Sequence, residues 1–285
     1  MKAAPFVYHA PRTVDEAVTV LAEVAPRDGR VLAGGQSLVP AMALRLARPA
    51  HLVDINGARG LEHLVAEAGE LAIGACVRHA AFHRPIVQGP LGALLTEVAG
   101  HIAHYPIRIR GTFCGSLAHA DPASEWCLVA ATLGAQVVVK STRGTRTLAA
   151  SGFFRGAMAT ALAVDELLCE TRLPVLPADT RFGFREFSRR AGDFAIAMTL
   201  VTFRLKEGVM IDPRVGVGGV EGRPRRVAAA EAVLEGQQPA GAVFRRAAEM
   251  AADSMEPLND ARYPAGYRRD LVRALTRRAL ERAAA

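Results

Sequence analysis

Residues 31–40 read VLAGGQSLVP, an apolar run that stops at Gly34 and Gly35 and resumes after Gln36 and Ser37. Glycine has no Cβ, so the main chain can take a positive φ there, and a ligand can lie directly against the peptide N–H groups. Two glycines alone do not make a dinucleotide-binding fingerprint. The segment therefore predicts either a tight strand-to-helix turn or a backbone surface for a ligand, and the flanking sequence must decide between them.

The sequence around this turn predicts a small α/β layer. Apolar residues recur at helical spacing over 14–24, behind a Thr-x-x-Glu capping box. Strand-like runs lie at 30–33 and 51–55, and Ser37 is predicted to cap a helix that extends to about Leu46. Because strands and helices alternate over this short stretch, the strands are expected to be parallel.

A second segment of the same character, RGTFCGSLAHADP, lies at 110–122. A diphosphate needs several converging N–H donors and short hydroxyls, with no opposing carboxylate, and small residues beside a helix N-terminus supply them. Four residues here fit that need: Gly111, Thr112, Gly115 and Ser116. The helix that follows is predicted to have Asp121 as its N-cap, to start at Pro122 and to end at Leu133. Two such segments in one chain favour a ligand surface over an ordinary turn.

Composition limits the class of protein. The chain has 285 residues, 51% hydrophobic and 22% charged, which describes a globular protein with a sizeable core. Its formal charge of +7 is spread among acidic residues throughout, so nucleic-acid binding is not expected. No signal-peptide core and no uninterrupted apolar span are evident, which predicts a cytoplasmic protein without a transmembrane segment.

Metal-ligand patterns are weak. The four cysteines are far apart and form no C-x-x-C pair: Cys76, Cys114, Cys127 and Cys169. His101 and His104 have H-x-x-H spacing, but no third ligand is evident, so we expect no metal ion on this chain. His119 and Asp121 could indicate acid–base chemistry, although an Asp before Pro is better explained as a helix cap.

The remaining sequence predicts two further units. Residues 57–176 alternate short strands and turns, including a helix near 90–101 and a hairpin that turns at 143–144. Three breaker residues then mark a boundary: Pro174, Pro177 and Asp179. The final part, 177–285, predicts two long paired strands followed by three helices. The predicted class is therefore α+β: a domain over 1–176, with subdomains of about 1–56 and 57–176, and a C-terminal domain over 177–285.

Three stretches resemble a known family: AGGQSLVPAMALRLARPAHLVDI, GTFCGSLAHADPASE and FREFSRRAGDFAIA. They are similar, in the same order, to the flavin signatures of the FAD-binding medium subunit of molybdenum hydroxylases, the group of xanthine dehydrogenase and aerobic carbon monoxide dehydrogenase. The resemblance covers essentially the whole chain. It implies the vanillyl-alcohol-oxidase or PCMH-type FAD-binding fold, in which two α/β parts enclose FAD, and a C-terminal antiparallel sheet with three helices.

The resemblance also implies which residues contact FAD. On one side of the diphosphate they are Leu32, Ala33, Gly34, Gly35, Gln36, Ser37 and Leu38, and on the other Gly111, Thr112, Gly115 and Ser116. Ile102 and Leu168 correspond to contact positions in relatives, Glu125 to an acid that bonds the cofactor, and Arg185 to a position near the flavin ring often held by lysine. Cys114 stands where many members have glycine, so we expect it to take an ordinary φ or to displace the segment slightly.

Cys114 and Arg185 both depart from the family pattern. The Arg185 departure bears on the tuning of the flavin potential, because a guanidinium does not take the place of a lysine ammonium with the same geometry. A negative charge at Glu125 is stabilised by the helix N-terminus but would repel a diphosphate. We therefore expect the Glu125 carboxylate either to accept hydrogen bonds from cofactor hydroxyls, most of all those of a ribose, or to face solvent. Phe182, Phe184 and Phe187 are predicted equally well as core residues or as a wall over the flavin.

The functional prediction follows from the resemblance. It implies noncovalent FAD and no catalytic residue on this chain. Electrons would arrive from [2Fe-2S] clusters of a small subunit, after a large subunit with the molybdenum cofactor oxidises the substrate, and would pass to an external acceptor. A dimer of such heterotrimers is expected. The alternatives are a free-standing FAD-dependent oxidoreductase of the same fold and a non-catalytic nucleotide-binding module.

Overall fold

A computed structural model describes residues 2–285. The first layer is a three-stranded sheet with two helices, in the order β1 (Val7–His9), α1 (Val14–Val24), β2 (Gly29–Leu32), α2 (Leu38–Ala43) and β3 (His51–Asp54). The strand order is β1-β3-β2, and both pairs are parallel. Thr13 accepts a hydrogen bond from the Glu16 amide and caps α1. The predicted parallel layer is therefore present.

The second helix is shorter than the sequence predicted. It ends at Ala43 rather than near Leu46, because the chain takes a left-handed turn at Arg45, with φ of 57°. Ser37 occupies the N-cap position, yet its side chain makes no capping hydrogen bond. Its hydroxyl therefore remains free of the helix.

The second layer is a five-stranded antiparallel sheet with helices between its strands. Its elements are β4 (Leu64–Glu67), β5 (Glu70–Gly74), α3 (Pro90–His101), α4 (Tyr105–Arg108), α5 (Phe113–His119), α6 (Glu125–Leu133), β6 (Gln136–Ser141), β7 (Gly144–Ala149), α7 (Ala150–Phe153), β8 (Phe154–Gly156), β9 (Ala159–Thr160) and β10 (Leu167–Pro174). The order in the five-stranded sheet is β4-β5-β10-β6-β7, and the predicted hairpin joins β6 to β7. The strands β8 and β9 pair with each other in a separate two-stranded sheet.

The stretch 110–122 differs from the prediction. It contains the short helix α5, capped by Thr112, and this helix ends where Ala120 takes a left-handed φ of 53°. Asp121 caps no helix, because its carboxylate accepts a hydrogen bond from the Ala123 amide in a local turn. The N-cap of α6 is instead Ser124, and α6 starts at Glu125.

The C-terminal part is a four-stranded antiparallel sheet followed by three helices. Its elements are β11 (Arg181–Phe187), β12 (Ala197–Lys206), β13 (Val209–Gly218), β14 (Arg225–Arg226), α8 (Ala228–Leu234), α9 (Gly241–Asp253) and α10 (Ala265–Ala284). The two long predicted strands are β12 and β13, whereas β11 was not predicted. One face of the sheet shares a hydrophobic core with α8, α9 and α10. The other face lies against α6, where a Cβ at Gly216 would be 1.8 Å from the Thr132 hydroxyl oxygen.

Within residues 2–285, none of the helices is both long enough and apolar enough to cross a lipid bilayer.

Candidate cofactor site

The two glycine segments line one cavity of about 580 Å³ between the two layers. We call residues 33–37 the first glycine segment and residues 111–116 the second. The size suits a nucleotide cofactor. Twelve of the fifteen predicted site residues line this cavity: Leu32, Ala33, Gly34, Gly35, Gln36, Ser37, Leu38, Gly111, Thr112, Gly115, Ser116 and Leu168. Segments far apart in sequence therefore meet as the resemblance implied.

One predicted reason for the glycines, the positive φ, is confirmed in the first segment, whereas the other glycine is required by close backbone packing. Gly35 has a positive φ of 71°, so the tight turn requires glycine. Gly34 lies against the second segment, where a Cβ would be 2.4 Å from the Arg110 carbonyl oxygen and 2.6 Å from the Gly111 Cα. The Gln36 amide donates to the Gly34 carbonyl at 2.9 Å, so this side chain stabilises the turn instead of facing a phosphate.

Hydrogen-bond donors for an anion converge on the cavity. Within residues 2–285, the hydroxyls of Ser37 and Ser116 have no protein partner. The Thr112 hydroxyl oxygen accepts from the Gly115 amide at 3.0 Å, so its O–H can still donate toward the cavity. These groups, with the backbone N–H groups of the turn at Gly35, have the chemistry that a diphosphate needs.

The cavity offers little opposing negative charge. Glu166 is the one acid in its lining among the described residues, and Arg146 binds its carboxylate through two contacts of 2.7 Å. The Ala163 amide donates to the same carboxylate at 2.8 Å, and these partners lower the Glu166 pKa. Because this charge is already compensated, it does not exclude an anionic ligand.

Cys114 fits the second segment without strain. It lies in α5 with an ordinary φ, and its buried thiol contacts the Ile73 carbonyl at 3.4 Å and the Thr171 hydroxyl at 3.3 Å. Burial raises its pKa to about 12, so the thiol is neutral and points into the protein. The expected ordinary φ is present.

Two residues that sequence reasoning missed join the glycine segments to each other. The Asn56 amide donates to the Ala33 carbonyl at 2.8 Å and accepts from Arg78 at 2.5 Å. Arg78 also donates to the Arg110 carbonyl. Asn56 follows β3 at the carboxyl edge of a parallel sheet, which is a usual place for ligand sites and was a usable signal, whereas nothing local marks Arg78.

Ile102, Glu125 and Arg185 lie outside this cavity lining, around the C-terminal end of α3. Ile102 follows α3 directly, and its carbonyl accepts from Arg108 at 2.8 Å. The Arg185 guanidinium is 3.8 Å from the Glu97 carboxylate of α3 and donates to the Phe184 carbonyl. Contact with a cofactor stays a prediction for these three residues, as it does for the twelve in the cavity lining. Phe184 is a core residue that packs edge-on against His101.

Glu125 belongs to a pair of buried acids. It is only 8% exposed, so a solvent-facing position is wrong. Burial raises its pKa to about 7, and burial together with the neighbouring Glu125 charge raises the pKa of Glu186 to about 8. One Glu186 oxygen has no hydrogen-bond partner. His101 Nδ1 lies 3.9 Å away, but burial lowers the His101 pKa, so this ring supplies no compensating positive charge at neutral pH. The two acids therefore hold fewer than two negative charges at neutral pH.

A cavity of about 600 Å³ beside the C-terminal sheet has arginines but satisfies them internally. Arg204 pairs with Asp179 at 2.9 Å, and Arg226 pairs with Glu231 at 2.7 Å. Arg214 donates to the Leu133 carbonyl at the end of α6. Because its charges are compensated, this second cavity is the weaker candidate for an anionic cofactor.

A diphosphate-sized cradle between a parallel α/β layer and an antiparallel sheet defines a nucleotide-cofactor-binding protein. Comparison with known families agrees. The sequence pattern described as the FAD binding domain in molybdopterin dehydrogenase matches residues 4–176, and that of the CO dehydrogenase flavoprotein C-terminal domain matches residues 182–283. The chain belongs to the family of FAD-binding medium subunits of the molybdenum hydroxylases.

Individual relatives match over their full length. The chain is 37% identical to the nicotine 6-hydroxylase medium subunit of Paenarthrobacter nicotinovorans, covering 100% of this chain and 99% of the relative. It is 34% identical to the carbon monoxide dehydrogenase medium chain of Hydrogenophaga pseudoflava, covering 98% and 96%. A solved structure of carbon monoxide dehydrogenase from Hydrogenophaga pseudoflava superposes with a TM-score of 0.95 and 36% identity, covering 99% of this chain and 98% of the other.

Substitution of Glu125 tests whether this buried acid reaches the cofactor. If it accepts hydrogen bonds from cofactor hydroxyls, Glu125→Gln is expected to weaken FAD binding roughly tenfold and Glu125→Ala more, because a charge-assisted hydrogen bond is worth about 1.5 to 3 kcal/mol. Titration of the apoprotein with FAD gives both dissociation constants. Unchanged constants in both variants would remove Glu125 from the cofactor site.

Proposed function

We propose that this chain is the FAD-carrying electron-transfer subunit of a multi-subunit molybdenum hydroxylase. In this role the chain accepts electrons from [2Fe-2S] clusters of a small subunit and passes them to an external acceptor. A large subunit holds the molybdenum cofactor and oxidises the substrate. We further propose a dimer of heterotrimers in the cytoplasm, an FAD domain over 1–176 and a C-terminal domain over 177–285.

The observation that carries this proposal is the contact between the two glycine segments at the wall of one cavity. Gly34 lies against Arg110 and Gly111 so closely that no side chain fits between them. The backbone amides and hydroxyls left free at this junction suit a diphosphate, and the acid in the lining is compensated. When bound, FAD supplies the redox chemistry that protein side chains lack.

The residues of this chain then have four tasks. The first and second glycine segments hold the diphosphate in place. Asn56 and Arg78 keep the two segments in register, and the apolar lining that includes Leu168 excludes water from the cofactor. Arg185, whose partly exposed guanidinium lies 3.8 Å from the Glu97 carboxylate, is proposed to supply positive charge near the flavin ring. These tasks bind and orient a cofactor, and they transform no substrate.

One experiment on the purified chain separates this proposal from its two alternatives, a free-standing FAD-dependent oxidoreductase and a non-catalytic nucleotide-binding module. The chain is loaded with FAD and tested against nicotine, caffeine and carbon monoxide, which the names of its relatives give as their substrates. We expect no turnover by the chain alone, but transfer of electrons to a dye after chemical reduction of its flavin. Acid precipitation is expected to release the flavin, since the cavity offers no exposed thiol as a covalent anchor.

Each outcome of this experiment supports one of the three functions. Turnover by the metal-free single chain would establish a free-standing oxidoreductase. A chain that binds FAD but passes no electrons would be a nucleotide-binding module. Isolation of the native complex, with molybdenum and iron found by metal analysis in partner subunits, is the result that the proposal requires.

A further inference from the structure

His79 is a buried histidine in the wall of the candidate cofactor cavity. It lies in a short 3₁₀ helix, His79–His83, and is only 4% exposed. Its main-chain amide donates to the Gly111 carbonyl at 3.0 Å, which fixes it against the second glycine segment. A Cβ at Gly111 would lie 2.5 Å from the His79 Nε2 atom. The imidazole therefore occupies the space that a side chain at position 111 would fill.

The tautomer of His79 is set by Trp126. The Trp126 indole N–H is 2.9 Å from His79 Nδ1, and an indole nitrogen can only donate. Nδ1 must then accept, so the ring proton of the neutral imidazole is on Nε2. Burial and the nearby charges of Arg78 and Arg108 lower the His79 pKa to about 4, which keeps the ring neutral at physiological pH.

The Nε2–H group has no protein acceptor within residues 2–285. His79 Nε2 is not among the fully buried side-chain atoms that lack a partner, so part of its surface is open to the cavity that His79 lines. Phe82 and Phe113 both pack against Trp126 beside it. The Nε2–H donor lies beside Gly111 at the junction of the two glycine segments, where a ligand in the cavity can accept its hydrogen bond.

We propose that His79 is a cofactor-binding residue whose Nε2–H, oriented by the Trp126 indole, donates a hydrogen bond to a diphosphate oxygen of FAD. The inference rests on the proposed function, because it takes FAD as the ligand. A neutral donor at this place binds the anion without adding a titrating charge beside the flavin. Trp126, which contacts no ligand in this arrangement, is a positioning residue.

The test compares three variants of the full chain in their apo form. His79→Phe keeps a ring but removes the donor, whereas His79→Gln keeps an N–H near the Nε2 position. His83→Phe is the control, since His83 lies in the same turn but outside the cavity lining. We expect the FAD dissociation constant to rise about 10- to 100-fold in His79→Phe. We expect most of this loss to be recovered in His79→Gln, and no change in His83→Phe.

Two spectroscopic measurements separate binding from packing. Nitrogen NMR of the histidine-labelled apoprotein is expected to show the Nε2–H tautomer of His79 in the wild type and a mixture of tautomers in Trp126→Phe. Phosphorus NMR of bound FAD is expected to show one diphosphate resonance displaced in His79→Gln. These spectra do not depend on electron transfer.

The outcomes distinguish failure of the proposed function from failure of the inference about His79. A wild-type chain that binds no FAD would overturn the proposed function and this inference with it. A wild-type chain that binds FAD, with equal affinity in His79→Phe, would overturn the inference alone. An Nδ1–H tautomer in the wild-type apoprotein would also overturn it, even if His79→Phe failed to fold.

Discussion

Gly34→Ala is expected to abolish FAD binding although it adds a single methyl group. The new Cβ would lie 2.4 Å from the Arg110 carbonyl oxygen and 2.6 Å from the Gly111 Cα, and both are backbone atoms. Neither can rotate away, so the two glycine segments would have to separate. Because both segments are proposed to bind the same diphosphate, we expect the FAD dissociation constant to rise by at least ~100-fold, which is about 2.7 kcal/mol.

The same reasoning ranks substitutions at the neighbouring glycine. At Gly35 a Cβ would meet only the side-chain ends of Leu32 and Val39, each at 3.1 Å, and the main cost is the positive φ of 71°. That conformation costs a residue with a side chain about 1 to 2 kcal/mol. Gly34→Ala is therefore expected to weaken FAD binding more than Gly35→Ala does.

The measurement is titration of the apo variants with FAD, with circular dichroism as the check on folding. Gly266→Ala is the matched control, because Gly266 lies in α10 with no atom within 4 Å of the added Cβ. This control is expected to bind FAD as the wild type does. Full flavin content in Gly34→Ala would mean that the two segments do not hold the cofactor together.

Glu186→Gln is expected to change how stability depends on pH. The Glu186 side chain is 3% exposed, and its pKa is raised to about 8 by burial and by the Glu125 charge. The folded apoprotein keeps this proton up to about pH 8, whereas the unfolded chain loses it near pH 4.5. Stability is therefore lost as pH rises between these values, by up to about 1.4 kcal/mol per pH unit.

Glutamine has nearly the same shape and cannot ionise, so the variant is expected to lose most of this dependence. Urea unfolding of the apoprotein at pH 5 and pH 8.5 gives the two free energies of unfolding. We expect Glu186→Gln to be the more stable protein at pH 8.5, by about 2 kcal/mol or more. Glu249→Gln, an exposed acid on α9, is the control and is expected to follow the wild type. Parallel pH profiles for all three proteins would mean that Glu186 is not a buried neutral acid.

Local patterns predicted much of the fold. The capping box before α1 and the alternation of strand and helix up to residue 54 gave the parallel layer, because both signals depend on neighbours in sequence. The start of α6 was misplaced for a related reason. Asp121 and Ser124 are both good caps, and the choice between them depends on the left-handed turn at Ala120, which no sequence pattern marks.

The two contiguous segments of the cavity lining were predicted from local motifs and Leu168 from the family resemblance, whereas residues that act only through tertiary contacts were missed. The first and second glycine segments are visible as short motifs. His79, Asn56 and Arg78 act only through contacts formed in the folded chain, such as the Trp126 indole on the imidazole. Burial of Glu125 near Glu186 likewise depends on how the C-terminal sheet packs against α6, so the sequence left its surroundings open.

A crystal structure of the flavin-loaded chain tests most directly whether the two glycine segments bind FAD. The predicted result is a diphosphate within hydrogen-bonding distance of the first glycine segment on one side and of Thr112 and Ser116 on the other. The contrary result is a nucleotide bound elsewhere, such as the second cavity beside Arg204, Arg214 and Arg226, with the cavity between the glycine segments filled by solvent.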